Sequence, residues 1–161
     1  MVEKVKELRP PRGLARIGFR LPIQLYKLGL GGMFGTRLLM LTHIGRKSGL
    51  KRQTVLEVVR HDKTKNEFII AAGFGKKSDW YQNILVHPEV TVRCGRKDWD
   101  MKAYFLTPDE CGQEMVDYAH RYPLAMRELQ KFMGFKVDGT DEDIFAMGKM
   151  LALVALRPLG E

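Results

Sequence analysis

Short apolar runs rich in β-branched residues follow one another from Thr36 onward, and turn-forming residues separate them. This alternation is typical of an antiparallel sheet or barrel. It predicts strands over residues 37–44, 53–60, 67–72, 90–94 and 98–106, and the apolar run 150–156 predicts a closing strand. Residues 61–66 and 95–97 are expected to form two hairpin turns.

Helical spacing of apolar residues occurs before and after these strands. Residues 14–30 show it with Arg16, Arg20 and Lys27 between the apolar positions, and glycines follow. We interpret this segment as a helix that packs on the protein body or, alternatively, presents a basic face to an anionic membrane. Further helices are predicted over residues 78–86, 108–121, 124–133 and 141–149, with Ser78 or Asp79 capping the first and Thr107 the second.

These elements predict a single α+β domain with a mainly β core. A length of 161 residues is enough for one domain with a substantial core and short for two. We divide it into an N-terminal arm and helix (1–35), a sheet or barrel core (36–107), and helices with the closing strand (108–161). Residues 1–13 are polar and basic, and we expect them to form a loosely held arm.

The cellular location is predicted from the length and position of the apolar runs in the sequence. None approaches the roughly 18 to 20 residues of a membrane-spanning helix, and charged residues interrupt the N-terminal segment where a secretory signal would be apolar. We therefore expect a cytoplasmic protein, with peripheral membrane contact through the N-terminal helix as the alternative. Cys94 and Cys111 have neither metal-ligand spacing nor the density of a disulfide scaffold, so no metal site is predicted.

The charge of the chain predicts an anionic partner. The formal net charge is +8, which suits nucleic acid, an anionic membrane surface or a polyanionic small molecule. Aromatic residues do not interleave with the basic clusters, and no nucleic-acid-binding motif is present. We therefore expect no nucleic acid partner.

A basic turn after the first strand is the first candidate for anion binding. Gly45 and Gly49 bound it and allow close approach of the backbone to a ligand. Its donors are the side chains of Arg46, Lys47, Ser48, Lys51 and Arg52. Such groups form charge-assisted hydrogen bonds with phosphate or carboxylate oxygens. A solvated hairpin tip is the alternative interpretation of the same residues.

A second loop has similar chemistry. It reads Ala71, Ala72, Gly73, Phe74, Gly75, Lys76 and Lys77 and enters the helix predicted at residue 78. A helix N-terminus preceded by glycines and lysines favours an anion, and small side chains leave room for an aromatic ring. We predict that the two loops define a cofactor-sized groove flanked by Trp80 and Tyr81, with Asn83 fixing the loop through hydrogen bonds.

Together these stretches resemble a known family. Residues 42–49 read Thr-His-Ile-Gly-Arg-Lys-Ser-Gly, Arg52 follows, and Trp-Tyr-Gln-Asn at 80–83 precedes His-Pro-Glu-Val at 87–90. This combination resembles the deazaflavin-dependent nitroreductase and quinone reductase family over roughly residues 36–107. The resemblance implies a split β-barrel of about six antiparallel strands, related to flavin-binding proteins, with an N-terminal helix and C-terminal helices.

The resemblance also implies a cofactor and a reaction. Lys47 and Arg52, helped by Arg46 and Ser48, would hold the acidic tail and phosphate of coenzyme F(420). Thr54 and Val55 would line the edge of the deazaflavin, residues 71–75 with Lys76 would supply backbone amides, and Trp80 and Asn83 would brace the loop. The reaction would be hydride transfer from the reduced cofactor to a quinone or another electron-poor conjugated acceptor. No catalytic base is recognisable, and the catalytic residues stay unassigned.

The C-terminal third departs from the family pattern and leaves alternatives open. The Tyr122-Pro123 pair is followed by no tyrosine up to Gln130, so substrate identity, and nitroimidazole reduction in particular, is not carried over. One alternative is a split-barrel oxidoreductase or carrier that binds flavin mononucleotide through the same turn. Another is a non-catalytic module that docks on an anionic membrane or nucleic acid. The sequence is compatible with a monomer or a homodimer.

Overall fold

The computed structural model describes residues 3–4, 38–72, 75–133, 135–136 and 138–160. The helix predicted over residues 14–30 lies outside the described residues, as do Gly73 and Phe74 of the second loop.

Six strands form a closed antiparallel barrel. They are β2 (Leu38–Ile44), β3 (Lys51–Asp62), β4 (Glu67–Ala71), β5 (Glu89–Cys94), β6 (Lys97–Phe105) and β8 (Leu153–Pro158). The order around the barrel is β2-β3-β4-β8-β6-β5, and β5 pairs with β2 to close it. This confirms the predicted α+β class and the barrel of six antiparallel strands.

The bounds of two strands, β3 and β8, differ most from prediction, because pairing and helix ends decide them. β3 is longer at both ends, since Ile44 pairs with Lys51 and Asp62 pairs with Glu67. The last strand begins at Leu153 rather than at Met150. The amides of Met150 and Leu151 donate to Met147 and Gly148 carbonyls at 3.0 Å and so complete the preceding helix.

Four helices lie close to their predicted positions. They are α1 (Asp79–Val86), α2 (Pro108–Arg121), α3 (Pro123–Met133) and α4 (Asp141–Lys149). Thr107 caps α2 in a capping box, where its hydroxyl accepts from the Glu110 amide and the Glu110 carboxylate accepts from the Thr107 amide. Ser78 occupies the N-cap position of α1, but its side chain makes no capping hydrogen bond. None of the helices within the described residues has the length and hydropathy needed to cross a membrane.

A short strand pair ties the N-terminus to the C-terminal helices. Strand β1 (Glu3–Lys4) pairs antiparallel with β7 (Phe135–Lys136), which lies between α3 and α4. Two residues of the predicted arm are thus paired, and the prediction that the arm is loosely held stays a prediction. A two-residue pairing between distant segments leaves no periodic pattern in the sequence.

The core has two parts, one inside the barrel and one outside it. Inside, Leu39, Phe68 and Val154 pack together, and α1 contributes Trp80 and Ile84. Outside, α2 and α4 cover β4 and β8 with Cys111, Met115, Ile144 and Met147 against Ile69 and Ala155. Because β4 and β8 face apolar neighbours on both sides, their central segments, residues 68–71 and 153–156, are continuously apolar rather than alternating.

Candidate functional site

The basic turn (residues 45–50) connects β2 to β3 in a tight backbone arrangement. The Gly45 amide donates to the Leu50 carbonyl and the Gly49 amide donates to the Gly45 carbonyl, both at 2.8 Å. Gly49 has a φ of +71°, which L side chains rarely adopt. A Cβ on Gly45 would lie 2.5 Å from the Ser48 hydroxyl oxygen. Gly49 is therefore required for its backbone conformation, and Gly45 is required because a side chain would clash with Ser48.

Arg46 points back onto α1 rather than away from the protein. Its amide and its Nη1 donate to the Asn83 side-chain oxygen at 3.0 and 2.8 Å. Its Nη2 lies 3.4 Å from the Asp79 carboxylate, and the side chain is 29% exposed. The guanidinium is thus occupied by α1, and the predicted direct contact of Arg46 with a cofactor stays a prediction.

Asn83 connects this turn to a buried histidine. Its amide nitrogen lies 3.1 Å from Nδ1 of His43, and both residues are 4% exposed. Burial, followed by the nearby Arg52 charge, lowers the pKa of His43 to about 4, while Asp79 opposes the shift. The imidazole is therefore neutral at physiological pH. Asn83 does hold the turn by hydrogen bonds, and its membership of a cofactor site stays a prediction.

Five cations around these loops remain exposed. They are Lys47, Lys51, Arg52, Lys76 and Lys77. Among the described residues, none of the five has an ion-pair partner within 4.0 Å, whereas Arg46 beside them has Asp79. Uncompensated positive charge gathered on two loops attracts an anion that reaches both.

Several polar groups of the second loop form hydrogen bonds within the protein. The Ala72 amide donates to Ala152 and the Gly75 amide donates to Ala72, both at 2.9 Å. Ser78 closes the loop by donating from its amide and its hydroxyl to the Gly75 carbonyl. The amides of Ala72 and Gly75 are therefore engaged within the protein. Of the amides predicted to face a cofactor, the one at Lys76 has no main-chain acceptor among the described residues.

The strand residues predicted to line the cofactor lie on opposite faces of the barrel wall. Thr54 pairs with Leu41, which is buried inside the barrel, whereas Val55 pairs with Met40. Neighbouring residues of a strand point to opposite sides. Ala72 likewise packs inside the barrel, and Ala71 packs against the outer helices. One ligand face therefore accommodates the side chain of Thr54 or of Val55, but not both.

Two aromatic residues expected beside the groove are part of the barrel core instead. Trp80 is 8% and Tyr81 is 5% exposed, and their rings meet edge to face with centroids 5.9 Å apart. Tyr81 packs in the same way on Phe105 at 5.2 Å. Both rings lie in the core because α1 turns that face into the open end of the barrel, and their predicted place beside a cofactor stays a prediction. The core contact also anchors α1 beneath the two basic loops.

Residues 24–129 match a family model. That model describes F(420)H(2)-dependent quinone reductases. The chain belongs to this family. Membership confirms the resemblance found in the sequence, and it supports an F(420)-dependent oxidoreductase. Reduced coenzyme F(420) is the cofactor by which the family is defined.

Solved structures show the same fold as this family member. An F(420)-H(2)-dependent reductase, FDR-A, is 23% identical, with a TM-score of 0.51 over 75% of this chain and 94% of its own. A structure described as a domain-swapped dimer is 20% identical, with a TM-score of 0.54 over 90% of this chain and 100% of its own. A protein of unknown function from Agrobacterium tumefaciens is 16% identical, with a TM-score of 0.54 over 96% of this chain and 59% of its own.

The residues of this family member fit the family's cofactor. Coenzyme F(420) carries a phosphodiester and several glutamates, so it is a polyanion. The exposed cations on and beside the two loops supply the opposite charge, and none of them has an ion-pair partner within 4.0 Å in the part of the chain that the structure describes. Within the described residues, no cluster of histidine, cysteine, aspartate or glutamate could hold a metal ion.

Sequence reasoning missed the buried link from His43 to the turn. The signal was present as a histidine two residues before Gly45 and an asparagine on the helix after the second loop. Their contact across 40 positions depends on α1 folding over the barrel end. The two cysteines and Tyr118 are buried packing residues.

Proposed function

We propose that this protein transfers a hydride from reduced coenzyme F(420) to a quinone or another electron-poor conjugated acceptor. The observation that carries the proposal is the group of exposed cations on and beside the two loops, none of which has an ion-pair partner among the residues that the structure describes. Family membership supplies the identity of the polyanion that this group suits. The quinone is the acceptor class in the family's description.

Within this proposal, the basic turn holds the anionic end of the cofactor. Lys47 and Arg52 supply charge-assisted hydrogen bonds to phosphate and carboxylate oxygens, and Ser48 adds a hydroxyl. Lys76 and Lys77 offer a second contact from the neighbouring loop. Five cations exceed what the single phosphate of flavin mononucleotide requires, so the longer anionic tail is the better match.

The protein residues act mainly by binding and orientation. The bound cofactor supplies the hydride chemistry. Val55, on the outer wall of β3, is positioned to contact a ring laid against that wall, and packing there excludes water and aligns the reactants. His43 is not a suitable proton donor, because it is buried, neutral and hydrogen-bonded through Nδ1 to Asn83. No described residue is assigned as a catalytic acid.

A fluorescence titration tests the cofactor assignment directly. The purified protein is titrated at physiological salt with oxidised coenzyme F(420) and, in parallel, with flavin mononucleotide. We expect saturable binding of the first and much weaker binding of the second. Preference for flavin mononucleotide would replace the proposal with ordinary flavin chemistry, and salt-sensitive binding of anionic vesicles with no cofactor binding would favour a non-catalytic module.

Turnover tests the acceptor. The protein is mixed anaerobically with reduced coenzyme F(420) and a soluble naphthoquinone, and the return of the oxidised deazaflavin absorbance is followed. Oxidation that needs both protein and quinone supports the proposed reaction. Tight cofactor binding without oxidation, tested also with a nitroaromatic and an enone, would retain the cofactor and refute the quinone.

A further inference from the structure

The basic turn is held on α1 by one buried side chain and one exposed carboxylate. Asn83 accepts two hydrogen bonds from Arg46 on its Oδ1, at 3.0 and 2.8 Å, and its Nδ2 faces His43. Asp79, which is 88% exposed, meets the Arg46 guanidinium at 3.4 Å. Inside the turn, the Ser48 hydroxyl oxygen accepts from the Leu50 amide, and residues 47–50 are exposed. The shorter, buried contact with Asn83 is therefore the main link that orients the turn relative to α1.

The hydrogen bonds of Asn83 fix the protonation state of His43. Because Oδ1 accepts from two N–H donors of Arg46, the amide group must face the imidazole with its NH₂ end. An N–H donor requires an unprotonated Nδ1, so the proton of the neutral ring lies on Nε2. The surroundings of the ring also favour its neutral form. Burial and then the positive charge of Arg52 on β3 lower the pKa of His43, and together they outweigh Asp79 on α1, which raises it.

We propose that His43 and Asn83 are positioning residues that hold the basic turn in its anion-binding conformation. The inference deepens the proposed function and rests on it for the identity of the ligand. The role requires no contact of either residue with the ligand. His43 orients Asn83, Asn83 holds Arg46, and Arg46 fixes the start of the segment that carries Lys47 and Ser48.

Preorganisation of the basic turn is the physical reason why the contacts of His43 and Asn83 would strengthen anion binding. A glycine-bounded turn samples many conformations, and a ligand that must select one of them binds more weakly. The turn has its own bond from the Gly49 amide to the Gly45 carbonyl, but that bond does not orient it on the barrel. The buried chain from His43 through Asn83 does so before any ligand arrives.

Four variants separate positioning from general folding. Asn83→Ala removes the link, and His43→Leu keeps volume but removes the acceptor for the Asn83 amide. His43→Asn places an amide oxygen near the position of Nδ1 and serves as the conservative rescue. Gln113→Ala, an exposed amide on α2, is the matched control. Thermal unfolding of each variant shows whether it is folded at the assay temperature.

Binding is measured for oxidised coenzyme F(420) and for the deazaflavin riboside, which lacks the phosphate and glutamates. We expect Asn83→Ala and His43→Leu to raise the Kd of the complete cofactor at least tenfold and to leave that of the riboside within about twofold. His43→Asn and Gln113→Ala should stay near the wild type. Equal losses for both ligands, or no loss for either, would overturn the inference.

Hydrogen exchange of the Gly49 amide tests the positioning role of His43 and Asn83 without the cofactor. This amide bonds to Gly45, so no variant removes its partner. We expect faster exchange in Asn83→Ala and His43→Leu, weaker binding of inorganic triphosphate, and wild-type behaviour in His43→Asn. If the wild type binds neither deazaflavin, the proposed function fails, and unchanged Gly49 exchange would separately refute the positioning role.

Discussion

Gly112 of α2 and Gly148 of α4 face each other where the two helices cross. A Cβ on Gly148 would lie 2.7 Å from the Gly112 Cα and 2.8 Å from the Cys111 carbonyl oxygen. Both obstacles are backbone atoms, so they cannot move aside as a flexible side chain could. The absence of side chains at these two positions allows α2 and α4 to cover β4 and β8 together.

Substitution of Gly148→Ala should therefore destabilise the protein. Overpacking against backbone costs about 1–3 kcal/mol, which outweighs the gain of about 1 kcal/mol in helix propensity. Urea unfolding should show a lower midpoint with an unchanged slope. Ala146→Gly, at an exposed position of α4, measures the propensity effect alone. A Gly148→Ala protein more stable than the wild type would contradict the close crossing.

Removal of two cations, one in the basic turn and one at the start of β3, should weaken cofactor binding without unfolding the protein. In Lys47→Ala/Arg52→Ala, both altered side chains are exposed, and exposed charges contribute little to stability. We expect the Kd for coenzyme F(420) to rise at least tenfold, and the salt dependence of binding to become shallower. Fluorescence titration at several salt concentrations measures both.

The matched control is Lys63→Ala/Lys65→Ala. These lysines are also exposed, but they lie beyond the far end of β3, roughly 35 Å along the strand from the turn. The control carries the same loss of net charge. If it weakened binding as much as the turn variant, the effect would come from overall charge rather than from the turn.

The stability of the protein should fall as His43 is forced to take a proton. The folded state holds the pKa of His43 at about 4, below its ordinary 6.5. Between these values the unfolded chain binds a proton that the folded chain does not, so the free energy of unfolding decreases as the pH falls from 6.5 to 4. The slope from this group is at most about 1.4 kcal/mol per pH unit.

His43→Asn isolates this contribution, because asparagine keeps the hydrogen bond and does not titrate. As the pH falls from 6.5 to 4, the free energy of unfolding of the wild type should decrease relative to that of the variant, which lacks the titrating ring. His87→Gln, at an exposed position, should follow the wild type. Parallel curves for the wild type and His43→Asn would show that His43 titrates alike in both states.

Glu67 should contribute more to stability than a surface carboxylate does. Its side chain is 12% exposed and accepts from Arg60 at 3.0 Å and from Arg157 at 2.6 Å. Glu67→Gln leaves two arginines facing a neutral group, and we expect a loss of about 1–3 kcal/mol. Asp98→Asn breaks the more exposed pair with Arg93 and should cost less than about 1 kcal/mol. Equal losses would contradict this ranking.

Local patterns predicted most elements because their physical causes are local. Thr107, Pro108 and Glu110 specify the start of α2 within four residues, and the capping box is present as expected. Strand boundaries were less accurate, since Lys51 and Asp62 are strand residues only through partners on β2 and β4. The pairing of β1 with β7 had no local signal at all.

The sequence by itself determined the α+β barrel, the two basic loops and the family, because periodicity, glycine positions and charge are properties of neighbouring residues. Only the tertiary structure decided which of those residues are buried, which are exposed and which partners they bond. Trp80 and Tyr81 became core because α1 closes the barrel, and Arg46 turned inward because Asn83 and Asp79 arrive beside it from α1. Direction and partnership depend on contacts between distant segments, which no local pattern contains.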